Sequence, residues 1–91
     1  MSLADQIRNQ FSSAVRERGT RYFRQRLVTN IAQAHGTTYA NVSNGYGNGY
    51  EVMVDQAANG HVDEMDCTCP YFDGNGPCKH IWATILKIDA T

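Results

Sequence analysis

Four side chains that can bind a soft metal ion lie within fourteen residues near the end of this 91-residue chain. Cys67, Cys69, Cys78 and His80 form two pairs, C-x-C and C-x-H, with eight residues between them. A domain of this size buries only about 60 to 65% of its unfolded surface. A crosslink or a metal can therefore decide whether it folds. This cluster constrains the fold more than any other part of the sequence.

The cysteine usage favours a metal over a disulfide framework. The chain has three cysteines, an odd number, and the segment Met1–Gln10 contains charged and amide side chains where a secretory signal would be apolar. Zn²⁺ prefers four tetrahedral ligands drawn from thiolate and imidazole. The sequence therefore predicts a structural Zn²⁺ bound by Cys67, Cys69, Cys78 and His80.

Three other interpretations of the cluster remain open. The cysteines can be free and buried beside a core histidine, although two one-spaced pairs around a glycine-rich loop are hard to obtain by chance. A catalytic zinc keeps one coordination position open, whereas four protein ligands would close it. A thiol-redox pair uses C-x-x-C in a βαβ context, and neither feature is present in this sequence.

The spacing also predicts how the ligands converge. Alternate residues of a strand point the same way, so Cys67 and Cys69 can reach one ion from a strand end, with Pro70 favouring an extended backbone before it. Cys78 should lie at a helix start, with His80 in the first turn. The N-terminus of that helix then faces the cluster, where its N–H groups stabilise thiolates.

Between the two pairs, Asp73-Gly74-Asn75-Gly76 has the composition of tight turns. Pro77 suits the position just before a helix. Lys79 beside the cluster provides a counter-charge for the thiolates.

The rest of the chain predicts an α+β fold. Apolar side chains at helical spacing indicate a helix over residues 3–18, with Ser2 as its cap and Gly19 as its stop, followed by a short helical turn over residues 20–24. Alternating β-branched and aromatic residues then indicate a small antiparallel sheet, and a last helix packs on it over residues 79–88. The predicted strands are Leu27–His35, Thr38–Ser43, Gly49–Gln56 and His61–Cys67, separated by turns at His35-Gly36, the tract 44–49 and Asn59-Gly60.

With these residues in place, the chain resembles the SWIM-type zinc finger, whose pattern is C-x-C, a variable loop and C-x-H. Cys67, Cys69, Cys78 and His80 fall on its four ligand positions. The stretch 18–24 (RGTRYFR) is also similar to the Arg-Gly-x-x-Tyr-Tyr/Phe segment that often precedes the finger in bacterial members. The resemblance covers about residues 17–88 and leaves the first helix outside the motif.

The resemblance implies a non-enzymatic binding module with a ββα-like unit held by zinc. Such fingers occur in bacterial Swi/Snf-type helicase ATPases, plant Mutator-type transposases and some ubiquitin-related kinases, and bind DNA or protein. Residues 1–91 are expected to form a single SWIM-type domain: a helical part (1–26), a β meander (27–66), and the zinc loop with its helix (67–88). The chain is expected to be an excised fragment of a longer protein, although a small complete protein would have the same sequence features.

Charge is unevenly distributed along the chain. The net charge of −1 arises because six arginines oppose two acids in residues 1–26, whereas seven acids oppose two lysines in residues 50–91. Basic groups beside aromatics can contact a phosphate backbone and bases, although a solvated helix face explains the same pattern. The candidate nucleic-acid contacts are Arg16, Arg18, Arg21, Arg24, Arg26 and Lys79.

The alternative function is a protein docking module without nucleic-acid contact. The acids Glu51, Asp55, Asp63, Glu64 and Asp66 can form a patch for a basic protein, or simply a solvated face. No membrane partner and no small-molecule substrate are expected. The sequence lacks an apolar run of the roughly 20 residues that a membrane helix needs. We therefore expect an intracellular protein, cytoplasmic in a bacterium and nuclear in a eukaryote.

Overall fold

The computed structural model describes residues 2–43, 49–69 and 77–90. Within these ranges helices flank a run of strands, which confirms the predicted α+β class. A single 3-10 turn, Arg8–Gln10, follows the first helix. The elements in chain order are α1 (Leu3–Ile7), α2 (Ser13–Arg24), β1 (Val28–Ala34), β2 (Thr37–Ser43), β3 (Gly49–Gln56), β4 (Val62–Cys67) and α3 (Lys79–Ala90).

The four strands form one antiparallel sheet in the order β1-β2-β3-β4. His35 and Gly36 join β1 to β2 with φ values of 54° and 83°, the two positive angles of a type I′ turn. Gly60, with φ of 87°, closes the turn between β3 and β4, where its N–H donates to the Ala57 carbonyl at 2.9 Å. The strand ends predicted from the turn residues therefore lie within one residue of the observed ends.

The helices cover one face of the sheet. Strand β2 alternates buried Thr38, Ala40 and Val42 with exposed residues, as expected when one face is packed and the other is wet. Helix α3 lies over this packed face and contacts all four strands as well as α1 and α2. Its central residues, Ile81 to Ile85, are fully or almost fully buried. The element that carries His80 and follows directly on Cys78 is thus also the centre of the core.

The predicted single helix over residues 3–18 is wrong, because the chain breaks at Phe11 and Ser12. Phe11 is buried with an extended backbone, and the Ser12 side chain accepts a hydrogen bond from the Val15 N–H at 3.2 Å, which caps α2. The apolar spacing continues across the break, since Ile7, Phe11 and Val15 all enter the same core. Periodicity alone therefore could not reveal it.

Gly19 was also wrongly predicted to end the helix. It lies inside α2, which continues to Arg24 and absorbs the separate turn expected over residues 20–24. Gly19 is buried where α2 crosses α3, and a Cβ built on it would lie 2.7 Å from the Lys79 carbonyl oxygen. The position requires glycine for close helix packing, not for a stop.

Two turn predictions lie outside the described residues: the tract 44–48 and the turns over residues 73–76. The described helices include none that is long and apolar enough to span a bilayer.

Candidate metal centre

The end of β4 and the start of α3 bring the four predicted ligands together. Cys67 is the last residue of β4, and Cys69 follows two positions later. Cys78 directly precedes α3, where its carbonyl accepts from the Trp82 N–H, and His80 lies in the first turn. The arrangement of a strand end facing a helix N-terminus is the one that the spacing predicted.

The ligand atoms lie close to the separations of a tetrahedral site. The His80 Nδ1 atom lies 3.7 Å from the Cys78 Sγ and 3.8 Å from the Cys67 Sγ, and the four candidate atoms all lie within 4.8 Å of one another. Zinc bonds of about 2.0 to 2.3 Å place tetrahedral ligand atoms roughly 3.6 to 3.8 Å apart. The cluster therefore needs little adjustment to close on one ion.

All four residues are buried, with exposed fractions of 1 to 4%. Three soft sulfurs and one imidazole nitrogen form a donor set suited to Zn²⁺. Four protein donors complete a tetrahedral shell, as in structural rather than catalytic sites. The cluster is positioned to bind a structural zinc ion.

The His80 ring is fixed by two tyrosines. Tyr50 of β3 packs against it with ring centroids 4.7 Å apart, and Tyr22 of α2 meets it edge-on at 5.4 Å. The His80 Nε2 atom is buried and has no hydrogen-bond partner within the described ranges, whereas Nδ1 faces the sulfurs. The ring orientation therefore assigns Nδ1 as the nitrogen available to a metal.

The Cys78 thiol is poised for deprotonation, whereas that of Cys67 is not. The Cys67 S–H donates to the Cys78 sulfur, which holds the pKa of Cys78 well below its usual range and raises the pKa of Cys67. Burial opposes ionisation of both thiols, while His80 and the Ile81 backbone N–H further lower the pKa of Cys78. The helix N-terminus thus acts on this cysteine as the sequence predicted.

Two of the predicted nucleic-acid contacts lie beside the metal centre instead of with the other arginines. Arg18 and Lys79 line a cavity of about 190 Å³ together with Cys69, Cys78 and His80. The Lys79 Nζ lies 5.0 Å from the centre of the Tyr22 ring, a cation–π contact. Both cations can offset the charge of −1 that three thiolates and Zn²⁺ carry.

The remaining predicted cations form a separate group on the helical layer. Arg16, Arg21 and Arg24 border one depression along α2. Arg24 also borders a second depression with Arg26, near the end of α3. Glu17 pairs with Arg21 at 3.5 Å, both side chains being well exposed. The structure therefore splits the six predicted contacts into two groups.

Sequence reasoning missed two residues that the fold brings to these sites. Lys87, in the last turn of α3, joins Arg24 and Arg26 in the second depression. Tyr50 supports the His80 ring. Tyr50 alternates with the exposed residues of β3 and packs against the core, but no sequence signal linked either residue to its site.

Comparison with known families supports the metal centre. Residues 50–89 match the family model described as SWIM zinc finger, which covers β4, the four ligands and almost all of β3 and α3. The upstream part of the expected resemblance, including residues 18–24, lies outside this match. Comparisons with curated proteins and with solved structures give no significant match.

Proposed function

Residues 50–89 carry a SWIM zinc finger, and we propose that zinc held by Cys67, Cys69, Cys78 and His80 organises a module that binds DNA. The metal has a structural role: it joins β4 to α3 and catalyses nothing. The DNA contact is made by the arginines on the helical layer. The observation that carries this proposal is the separation of charge between the two layers of the fold.

The helical layer carries every cation of the sequence. No lysine or arginine occurs between Arg26 and Lys79, so the strands contain none. Among the described residues, the one ion pair made by an arginine of α2 is that of Arg21 with Glu17. A DNA backbone attracts such a surface because bound cations release condensed counterions. The sheet carries carboxylates and would be repelled.

The contact surface is defined by the cations of the two depressions, which share Arg24. A helix that presents arginines one turn apart can follow successive phosphates, and guanidinium groups bind phosphate oxygens in bidentate pairs. The surface consists of Arg16, Arg21, Arg24, Arg26 and Lys87. Arg18 and Lys79 are placed to assist at the zinc end.

The family resemblance supports a host context. We propose that this chain is an accessory domain of a larger nucleic-acid-processing protein, such as a Swi/Snf-type helicase. A nucleotide-binding motif is lacking in this sequence, so any ATPase activity would come from elsewhere.

Fluorescence anisotropy of a labelled DNA duplex with the zinc-loaded protein tests DNA binding. About four phosphate contacts predict a roughly hundredfold loss of affinity between 50 and 200 mM salt. Arg24→Gln should lower the salt slope by about one. Arg8→Gln removes the same charge from the 3-10 turn outside the proposed surface and should change affinity less than about twofold.

Two results would contradict the proposal. Absence of binding at about 50 mM salt, where phosphate contacts are strongest, would exclude DNA as the ligand. Equal effects of Arg24→Gln and Arg8→Gln would show that only total charge matters. Partner binding that survives high salt would instead favour the alternative, a protein docking module that uses apolar surface.

A further inference from the structure

In the described part of the chain, no helix covers the face of the sheet that lies opposite α1, α2 and α3. Tyr39 of β2 stands on this face and is 43% exposed, although it is a large hydrophobic side chain. The strand pairing aligns this face into cross-strand rows. The outer sheet face consists of three rows: Thr29, Asn41 and Glu51; Ala32, Tyr39, Met53 and Asp66; and Ala34, Thr37, Asp55 and Glu64.

Met53 lies at the centre of the acidic half of this face. Tyr39 is its cross-strand partner on β2, and Asp66 is its partner on β4. Residues two apart on a strand share a face, so the neighbours of Met53 along β3 are also acidic. Four carboxylates therefore surround the Met53 side chain: Glu51, Asp55, Glu64 and Asp66.

The sheet provides no cation to balance these carboxylates, because residues 27–78 contain neither lysine nor arginine. Asp55 and Glu64 are direct cross-strand partners, an arrangement of like charges that destabilises a sheet. One oxygen of Asp55 accepts a hydrogen bond from the Thr37 hydroxyl at 2.9 Å, which leaves the repulsion with Glu64 in place. The free chain thus maintains a repulsion that a bound cation would relieve.

We propose that the outer sheet face docks a lysine- and arginine-rich segment of a partner polypeptide. The long alkyl stems of such side chains pack on Met53 and Tyr39, while their charged ends reach the surrounding carboxylates. A guanidinium or ammonium group over the Tyr39 ring gains a cation–π contact. This face lies opposite the arginines of α2, so it does not depend on DNA binding and can be occupied at the same time.

Charge and symmetry favour a different polypeptide over a second copy of this chain. The cations of a second copy lie on its helical layer, so the acidic face of one copy would meet the basic face of the next. Such a head-to-tail contact generates a ring where the rotation closes and a filament where it does not. A basic segment of another protein contacts the same carboxylates without building a head-to-tail assembly.

A labelled decapeptide of alternating lysine and valine, with its glutamate counterpart, probes the face in the zinc-loaded chain. The double variant Glu51→Gln/Glu64→Gln should weaken lysine-peptide binding about three- to tenfold. The double variant Asp5→Asn/Glu17→Gln removes the same charge from the helical layer, outside the three rows, and should change binding less than about twofold. Met53→Thr, which keeps the charge, should also weaken binding.

We expect the chain to bind the lysine peptide more tightly than the glutamate peptide. Only the variants of the outer sheet face should lose this binding, and their DNA affinity should stay within about twofold of the wild-type value. Equal loss in the two double variants, or equal binding of the two peptides, would overturn the proposal. Sedimentation equilibrium provides a second readout. If Glu51→Gln/Glu64→Gln abolishes self-association of the wild-type chain and leaves peptide binding intact, the occupant is a second copy and the proposal is wrong.

Discussion

Gly19 of α2 lies directly against Trp82 of α3. A Cβ at Gly19 would approach the Trp82 Cδ1 to 2.7 Å and the Trp82 Cβ to 2.8 Å. Trp82 has little room to move, because its ring packs on Phe11 at 5.0 Å and its Nε1–H donates to the Thr20 hydroxyl. The crossing of these two helices therefore fixes the first turn of α3, which carries His80.

Gly19→Ala should destabilise the protein. Alanine is a better helix former by about 1 kcal/mol. Overpacking of a tight core costs about 1 to 3 kcal/mol, and the contacts below 3.0 Å indicate the upper part of that range. We expect a net loss in the free energy of unfolding, measured by urea denaturation. Zinc binding should also weaken, because α3 must shift. Ser13→Ala, exposed in the same helix, is the control. Unchanged zinc affinity in Gly19→Ala would show that the crossing does not position the ligand.

Ser12→Ala should lower the free energy of unfolding by about 1 kcal/mol, because the Val15 N–H loses its capping acceptor. Urea denaturation of the zinc-loaded protein measures the change. Ser13→Ala again serves as the comparison, because the capping side chain is that of Ser12 and not of Ser13. Equal stability of the two variants would argue for a continuous helix through residues 11 and 12.

Asp89→Ala should detach α1. The Asp89 carboxylate accepts hydrogen bonds from the Leu3 N–H at 2.9 Å and the Ala4 N–H at 3.0 Å, which ties the N-terminus of α1 to the end of α3. A helix of five residues does not form by itself. We expect the free energy of unfolding to fall by about 1 kcal/mol and amide exchange in residues 3–7 to become rapid. Retained protection there would show that Leu3 and Ile7 hold α1 by packing alone.

Removal of zinc should release α3. Zinc binding to small finger peptides contributes roughly 10 to 16 kcal/mol, as much as the whole net stability of a domain. Hydrogen exchange after chelation should show lost protection in α3 and β4, with recovery on addition of Zn²⁺ but not Mg²⁺. Unchanged exchange would mean that the hydrophobic core holds α3 without the metal.

Local chemistry made the strands and the metal cluster predictable from the sequence. The His35-Gly36 and Asn59-Gly60 turns are encoded by residues that tolerate positive φ or supply local hydrogen bonds, and the ligand pairs follow strand and helix geometry. The role of Gly19 depends on Trp82, which is distant in sequence. The separation of Arg18 from Arg16 and Arg21 depends on the position of α2 against α3. Such tertiary relationships leave no local pattern.

Zinc K-edge X-ray absorption of the zinc-loaded protein tests the central claim most directly. Ligation by Cys67, Cys69, Cys78 and His80 predicts three sulfurs at about 2.3 Å and one imidazole nitrogen at about 2.0 to 2.1 Å. A shell with fewer than three sulfurs, or with a water oxygen in the fourth position, would contradict a closed structural site.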